Sequence, residues 1–209
     1  HGLMTAEIYD LATGTFTATG SMSTARYGHT ATLLTDGTVL IAGGIKSSDG
    51  LDGGVSTPTA EIYDPTTGKF TPTGSMQAFR DLHAATLLSN GMVLVTGGNW
   101  TSPSAEIFDP ASGMFSSTGS MAVPRSAHTA TLLSTGQVLV AGGATRPQCI
   151  QNSNCGVTAI IELFDPANGT FTPHGSMHTA RSAHTATLLS DGEVLLAGGE
   201  GDATAELYP

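Results

Sequence analysis

Four versions of one sequence unit run along this chain, and two of them are nearly the same string. Arg125–Gly143 reads RSAHTATLLSTGQVLVAGG, and Arg181–Gly199 reads RSAHTATLLSDGEVLLAGG. Each unit opens on Gly-Ser-Met, at Gly20-Ser21-Met22, Gly74-Ser75-Met76, Gly119-Ser120-Met121 and Gly175-Ser176-Met177. An arginine comes four residues after each Met (Arg26, Arg80, Arg125, Arg181) and a histidine three residues after each arginine (His29, His83, His128, His184). A glycine pair follows, at Gly43-Gly44, Gly97-Gly98, Gly142-Gly143 and Gly198-Gly199. AEIYD, AEIFD or IELFD recurs between the pairs, together with an aromatic at Phe16, Phe70, Phe115 and Phe171. Units repeated at this period are stacked modules, none of which buries its apolar face alone.

Each unit predicts four short strands, here called a to d. Strand a is the Thr- and Leu-rich HTATLL. A two-residue turn follows it (Asp36-Gly37, Asn90-Gly91, Thr135-Gly136, Asp191-Gly192), of a kind that accepts positive φ and closes a hairpin. Strand b, such as TVLIAGG or EVLLAGG, is a continuous apolar run, which implies burial on both faces. Strand c is the TAEIYD segment; DPTTG and its relatives turn the chain into a short strand d. No stretch has a helical period. A four-stranded sheet with two apolar faces must sit between copies of itself, and radial stacking does this while protecting most strand edges. The predicted fold is an all-β propeller of four-stranded antiparallel blades, one domain over residues 1–209.

The Gly pair, the Tyr or Phe after the Glu and the later aromatic resemble the kelch repeat, and the wording TATLLxDGxVLxAGG…AExYDPxTGxF resembles its bacterial branch grouped with the galactose-oxidase central domain. Many kelch repeats carry Trp where this chain has Phe16, Phe70, Phe115 and Phe171. The opening c and d strands, three full units and a final a, b and c leave one strand c more than four blades use. Three arrangements fit that count. A four-bladed ring closes if Thr5–Thr19 completes the blade begun at His184, displacing the final ATAELYP. Otherwise the chain is half of a ring completed by a second copy, a homo-oligomer, or an excerpt of a longer array.

Charge narrows the partners. Asp and Glu number 17 against 7 Lys and Arg, and four of the arginines sit at the repeat position. With no basic stripe to neutralise phosphates, nucleic acid is excluded as a partner. No apolar run is long enough to span a bilayer, so membrane insertion is not expected. The Thr-, Ser-, Gly- and Ala-rich, Lys-poor composition points to a secreted bacterial protein, extracellular or periplasmic. Cys149 and Cys155, in the turn-rich RPQCIQNSNCG, predict a small disulfide-closed loop; two free thiols in a reducing compartment are the alternative.

Residues present in every unit read as architecture. The four histidines suggest a metal ring near the axis, but hydrogen bonding at the start of strand a accounts for their presence in every copy. The repeated arginines and the repeated Glu7, Glu61, Glu106 and Glu162 read as structural ion pairs matched one to one. Binding is sought where units differ. The b–c and d–a loops emerge on one face, and both long insertions, Ile45–Pro58 and Ala144–Ala159, are b–c loops. On that face the candidate ligand-binding residues are Tyr27, Phe79, Asp81, Trp100 and Arg146. DGLDGG, within the first insertion, has two carboxylates near glycines but lacks a full Ca²⁺-ligand spacing.

No nucleophile elbow, zinc helix motif or phosphate loop is present. The copper site that the galactose-oxidase resemblance implies needs a Tyr pair, a His pair and a Tyr–Cys crosslink. Tyr9, Tyr63 and Tyr208 are repeat aromatics, which leaves only Tyr27, so no catalytic residue transfers and no cofactor is expected. The expectation is a non-catalytic scaffold binding a protein or glycan. A galactose-oxidase-like or other enzyme module with active residues partly outside this chain, and a self-assembling structural protein, are the competing readings.

Overall fold

The computed structural model describes residues 2–46, 54–145, 156–200 and 203–209, and every regular element among them is a strand. The strands are β1 (Leu3–Asp10), β2 (Thr15–Tyr27), β3 (Thr30–Leu33), β4 (Val39–Ala42), β5 (Ile45–Lys46), β6 (Val55–Ser56), β7 (Ala60–Asp64), β8 (Lys69–Pro72), β9 (Ala84–Leu87) and β10 (Val93–Thr96). They continue with β11 (Ser104–Asp109), β12 (Met114–Ser120), β13 (Thr129–Leu132), β14 (Val138–Ala141), β15 (Ile160–Asp165), β16 (Thr170–Ser176), β17 (Thr185–Leu188), β18 (Val194–Ala197) and β19 (Ala205–Tyr208).

Antiparallel sheets β3-β4-β7-β8, β9-β10-β11-β12 and β13-β14-β15-β16 are three complete blades with strands in the order a to d, and β17-β18-β19 supplies a, b and c of a fourth. The a strands β3, β9, β13 and β17 pack side by side in chain order. The blades stack face to face as in a β-propeller.

Strand b carries the core because it is buried on both faces. On β10, Val93 and Val95 belong to the core shared with the first blade, while Leu94 belongs to the core shared with the third. On β14, Val138 and Val140 face back, and Leu139 and Ala141 face forward. Period-two alternation thus splits one apolar run between two interfaces. Burying a side chain such as Leu94 contributes about 1.5–3 kcal/mol. Tyr63–Phe70, Phe108–Phe115 and Phe164–Phe171 are direct cross-strand pairs between c and d, with ring centroids 4.7–4.8 Å apart. Phe115 is buried in the joint between the first and second blades, the position at which the kelch pattern uses Trp.

Two features depart from the sequence expectation. β19 occupies the c position on β18, with Ala197 opposite Ala205 and Val194 opposite Tyr208. Thr5–Thr19 therefore does not complete the last blade. It forms the hairpin β1–β2, which lies against the first blade through Gly20 N–H to Gly68 C=O and Thr19 Oγ1 with Tyr63 Oη. Only a short connection separates β19 from β18, so its docking closes a far smaller loop than recruiting the N-terminal segment would. The second departure is β5–β6. The base of the first long insertion is a small hairpin added to the far end of β2, with Arg26 opposite Lys46 and Tyr27 opposite Ile45. β2 is thereby longer than the short strand d that the sequence suggested.

The glycine pairs are fixed by close approach. Gly97 has φ +63, and a Cβ there would collide with the Arg125 carbonyl oxygen and stand 2.6 Å from His128 Cε1 of the next blade. Gly136, in an a–b turn, has φ +84 and nothing within 4 Å of a Cβ. Comparing the two separates backbone strain from collision. Gly136→Ala is expected to cost about 1 kcal/mol of unfolding free energy, and Gly97→Ala about 1–3 kcal/mol more, in urea melts. Equal costs would mean that the blade joint tolerates a methyl group.

Candidate functional site

The loop face is built on a buried charged clamp. In each blade the arginine after Gly-Ser-Met turns into the sheet and reaches the glutamate of strand c. The Nη2–Oε distances are 2.9 Å for Arg26–Glu61, 2.9 Å for Arg80–Glu106, 2.6 Å for Arg125–Glu162 and 3.0 Å for Arg181–Glu206. Nη1 of the same arginine donates to two carbonyls, one at each end of the b–c loop. These are Gly43 and Thr59 for Arg26, Gly97 and Ser104 for Arg80, Gly142 and Ile160 for Arg125, and Gly198 and Thr204 for Arg181. The glutamate accepts the backbone N–H of the residue after the Met: Ser23 for Glu61, Gln77 for Glu106, Ala122 for Glu162 and His178 for Glu206. One ion pair thus ties the root of the b–c loop to the d–a loop. The b–c loop is pinned at both ends whatever its length.

This pairing corrects one member of the predicted set. Glu7 is exposed on β1 and meets no arginine among the described residues; Glu206 is the fourth partner. Each arginine pairs with a glutamate downstream of it, in the blade it opens, and Glu7 precedes every arginine in the chain. Burial pulls Arg80 and Arg125 below the usual guanidinium value, opposed by Glu106 and Glu162 respectively. Burial acts to raise Glu206, but the N–H groups of His178 and Thr179, with the Arg181 guanidinium, outweigh it and hold the carboxyl at about 2.

The histidines join blades. His83 Nε2 meets Thr30 Oγ1 of the first blade at 2.8 Å, His128 meets Thr96 of the second at 2.8 Å, and His184 meets Thr129 of the third at 3.1 Å. Nδ1 of all four histidines, His29 included, is buried without a partner. Beside each ring, the second glycine of the preceding pair donates to the clamp arginine's carbonyl: Gly44 to Arg80, Gly98 to Arg125 and Gly143 to Arg181, at 2.7–2.9 Å. A further row runs along the residues just before the histidines. Leu82 N–H donates to Gly28, Ala127 to Leu82 and Ala183 to Ala127, at 2.7–2.9 Å, with φ of +51 to +53 at the three donors. Reading the sequence missed this row, because Leu and Ala at those steps give no sign of a left-handed backbone.

The candidate binding residues sit above this frame. Tyr27 (45 % exposed) ends β2, and Phe79 (57 % exposed) stands one residue before the second clamp arginine. Trp100 is half-buried in a turn whose Asn99 Oδ1 accepts the Thr101 N–H at 3.0 Å. Asp81, by contrast, is buried. Ser56 Oγ, from the first blade's b–c loop, donates to its Oδ2, and Asp81 N–H donates to Gly98 C=O at 3.0 Å. The structure therefore brings Asp81, the β6 strand and the root of the Trp100 turn together. Arg146, Cys149, Cys155 and most of DGLDGG lie outside the described residues.

A kelch motif model matches residues 25–77, which span the first clamp arginine, its blade and the start of the next unit. The blade topology defines the chain as a β-propeller that carries a kelch motif in its first complete blade. Among solved structures, the one titled "Structure of YjhT" is similar over 88 % of this chain and 63 % of that chain, with a TM-score of 0.72 and 15 % identity. This chain therefore spans less than two thirds of that protein's length, and the likeness is one of fold. No curated protein matches the chain.

Arg80 and Glu106 form the most complete clamp, since Arg80 Nε also donates to Glu106 at 3.1 Å. Arg80→Met alone, leaving Glu106 buried without its cation, is expected to cost about 3–5 kcal/mol, and the double change Arg80→Met with Glu106→Leu less than either single change. Denaturant melts of the three variants test the ordering.

The histidines set the acid response. Desolvation by burial, with the nearby Arg80 and His29, lowers His83 to about 3; burial likewise lowers His128 well below 6.5 and His184 below it. A histidine kept neutral in the fold binds its proton only on unfolding. Its contribution is complete above the unfolded value of 6.5 and is lost as pH falls from there toward the folded value. Between pH ~6 and ~5, stability should fall by about 1 kcal/mol per pH unit through His83, whose folded value lies well below that range. His83→Gln should reduce that slope by about one residue's share; an unchanged slope would mean that His83 charges within the folded protein.

Proposed function

We propose that this chain is a non-catalytic kelch-type binding scaffold, acting outside the cell, that presents its b–c and d–a loop face to a protein or glycan. One observation carries the reading. The clamp repeats in four blades with the same partners, while the side chains that break the repeat (Tyr27, Phe79, Asp81 and Trp100) all belong to the face above it. A frame that fixes loop roots independently of loop length lets the loops diverge without disturbing the blades. The exposed aromatics supply rigid, large-area contacts of the kind that dominate interfaces and sugar stacking. Tyr27 alone stands outside the repeat aromatics, too few for the tyrosine pair that the galactose-oxidase resemblance implies, and the chain's strong negative charge disfavours phosphate-rich partners.

The reading is tested by glycan- and peptide-array capture with the purified chain. Binding should fall by about tenfold or more in a Phe79→Ala, Trp100→Ala double variant. It should be unchanged in Met92→Ala, a control in the a–b turn on the opposite face. Loss of binding in the control alone would move the site to the other face. Bound copper with oxidase turnover would overturn the non-catalytic assignment.

A further inference from the structure

One step after the clamp arginine the four units carry Tyr27, Asp81, Ser126 and Ser182. Asp81 is the charged member of that set, yet it is only 5 % exposed. Its Oδ2 accepts the Ser56 hydroxyl, and that is its one side-chain hydrogen bond among the described residues. Among the described residues Oδ1 accepts no hydrogen bond, and the residue keeps a small exposed surface. The adjacent Arg80 guanidinium gives no compensation, because it is committed to Glu106, Gly97 and Ser104. A carboxylate is thus held at the joint of the first and second blades with one oxygen unpaired and no opposite charge against it among the described residues. Burying a carboxylate in this way is costly unless a cation reaches it.

We propose that Asp81 is the anchor for a lysine or arginine side chain of a partner protein. The proposal rests on the binding-face reading above and names the chemistry of the occupant. A cation is favoured by the unpaired oxygen and by a formal net charge of −10 on the whole chain. A calcium ion takes about six to eight oxygens, and one carboxylate and one hydroxyl fall far short of that. A neutral glycan needs no uncompensated charge. A long cationic side chain meets both requirements of the notch. Its head donates a charge-assisted hydrogen bond to Oδ1. Phe79, two residues before Asp81 and exposed, and Trp100, two residues beyond the Gly98 carbonyl that holds the Asp81 backbone, are the aromatics this reading assigns to its apolar stem.

The experiment is an NMR titration of the ¹⁵N-labelled chain with three capped tripeptides, Gly-Lys-Gly, Gly-Arg-Gly and the uncharged Gly-norleucine-Gly. The Lys and Arg peptides should shift the Ser56 and Gly98 amides and the Trp100 indole saturably at millimolar concentration, and the norleucine peptide should not. Asp81→Asn should weaken the response by about tenfold or more, and about 0.5 M salt should weaken it in the wild type. Asp81→Ser places at this step the residue that the third and fourth units carry, so it gives a second reading if Asp81→Asn unfolds. The proposal is overturned by absent saturable shifts, by an equal norleucine response, or by undiminished shifts in either folded variant. Array capture by the same variants separates the two readings: capture that persists while the peptide shifts are absent removes the Asp81 assignment and leaves the binding face standing.

Discussion

A buried arginine holds each blade of this protein together at the point where two loops would otherwise be free. Its guanidinium spans both ends of the b–c loop and meets a glutamate that in turn grips the d–a loop. Such a pair gains from a low-dielectric setting only when all remaining donors and acceptors are used. The geometry at Arg80 meets that condition, with five hydrogen bonds shared among Glu106, Gly97 and Ser104. Arg26 and Arg125 each leave Nε without a partner, so the same device is less complete in the first and third blades. In the last blade it is more open: the side chain of Glu206 is 14 % exposed against 2 % for Glu61, Glu106 and Glu162.

Glycine makes the clamp repeatable from blade to blade. The Gly pair lets strand b approach the next arginine's backbone closely enough to donate a hydrogen bond, and the next histidine lies over the first glycine of the pair. A second close approach lies at the outer rim, where the Gly-Ser-Met glycine donates to a turn glycine of the following blade: Gly20 to Gly68, Gly74 to Gly113 and Gly119 to Gly169. The apolar joints between these two rims are filled by strand b and the c–d aromatics. Polar contacts therefore set the distance between blades at the inner and outer margins, and hydrophobic burial supplies the attraction between them.

The consequence for function is a division of labour within each unit. Residues that repeat are, Glu7 apart, consumed by the frame: the clamp arginines and glutamates pair with each other, and the histidines and paired glycines bond or pack across the blade joints. Residues that do not repeat are left over at the loop face, and among the described ones Asp81 is both charged and buried. Its neighbour Ser56 comes from an insertion that the clamp of the first blade pins at its root. Variation in loop length is thus turned into a change of surface chemistry with no change in blade geometry.

The sequence by itself determined the blade. Strand order, the a–b turns, the doubly buried strand b and the role of arginine, histidine and glycine as frame residues all follow from local periodicity and from positions that recur in register. The tertiary structure decided which copies pair. That Arg181 takes Glu206 while Glu7 meets no arginine among the described residues depends on which strand c folds back onto the strands behind each arginine, and five equivalent glutamates look alike in the chain. It also decided that β19 holds its place beside β18, that the β5–β6 hairpin extends β2, and that Leu82, Ala127 and Ala183 adopt left-handed backbone to link one blade to the next. The burial of Asp81 was likewise invisible in the sequence, since only the docking of one blade's loop on the next brings Ser56 to its carboxylate. Contacts within a unit repeat with the sequence and can be read from it; contacts between units depend on where distant segments meet, and that is settled only when the chain packs.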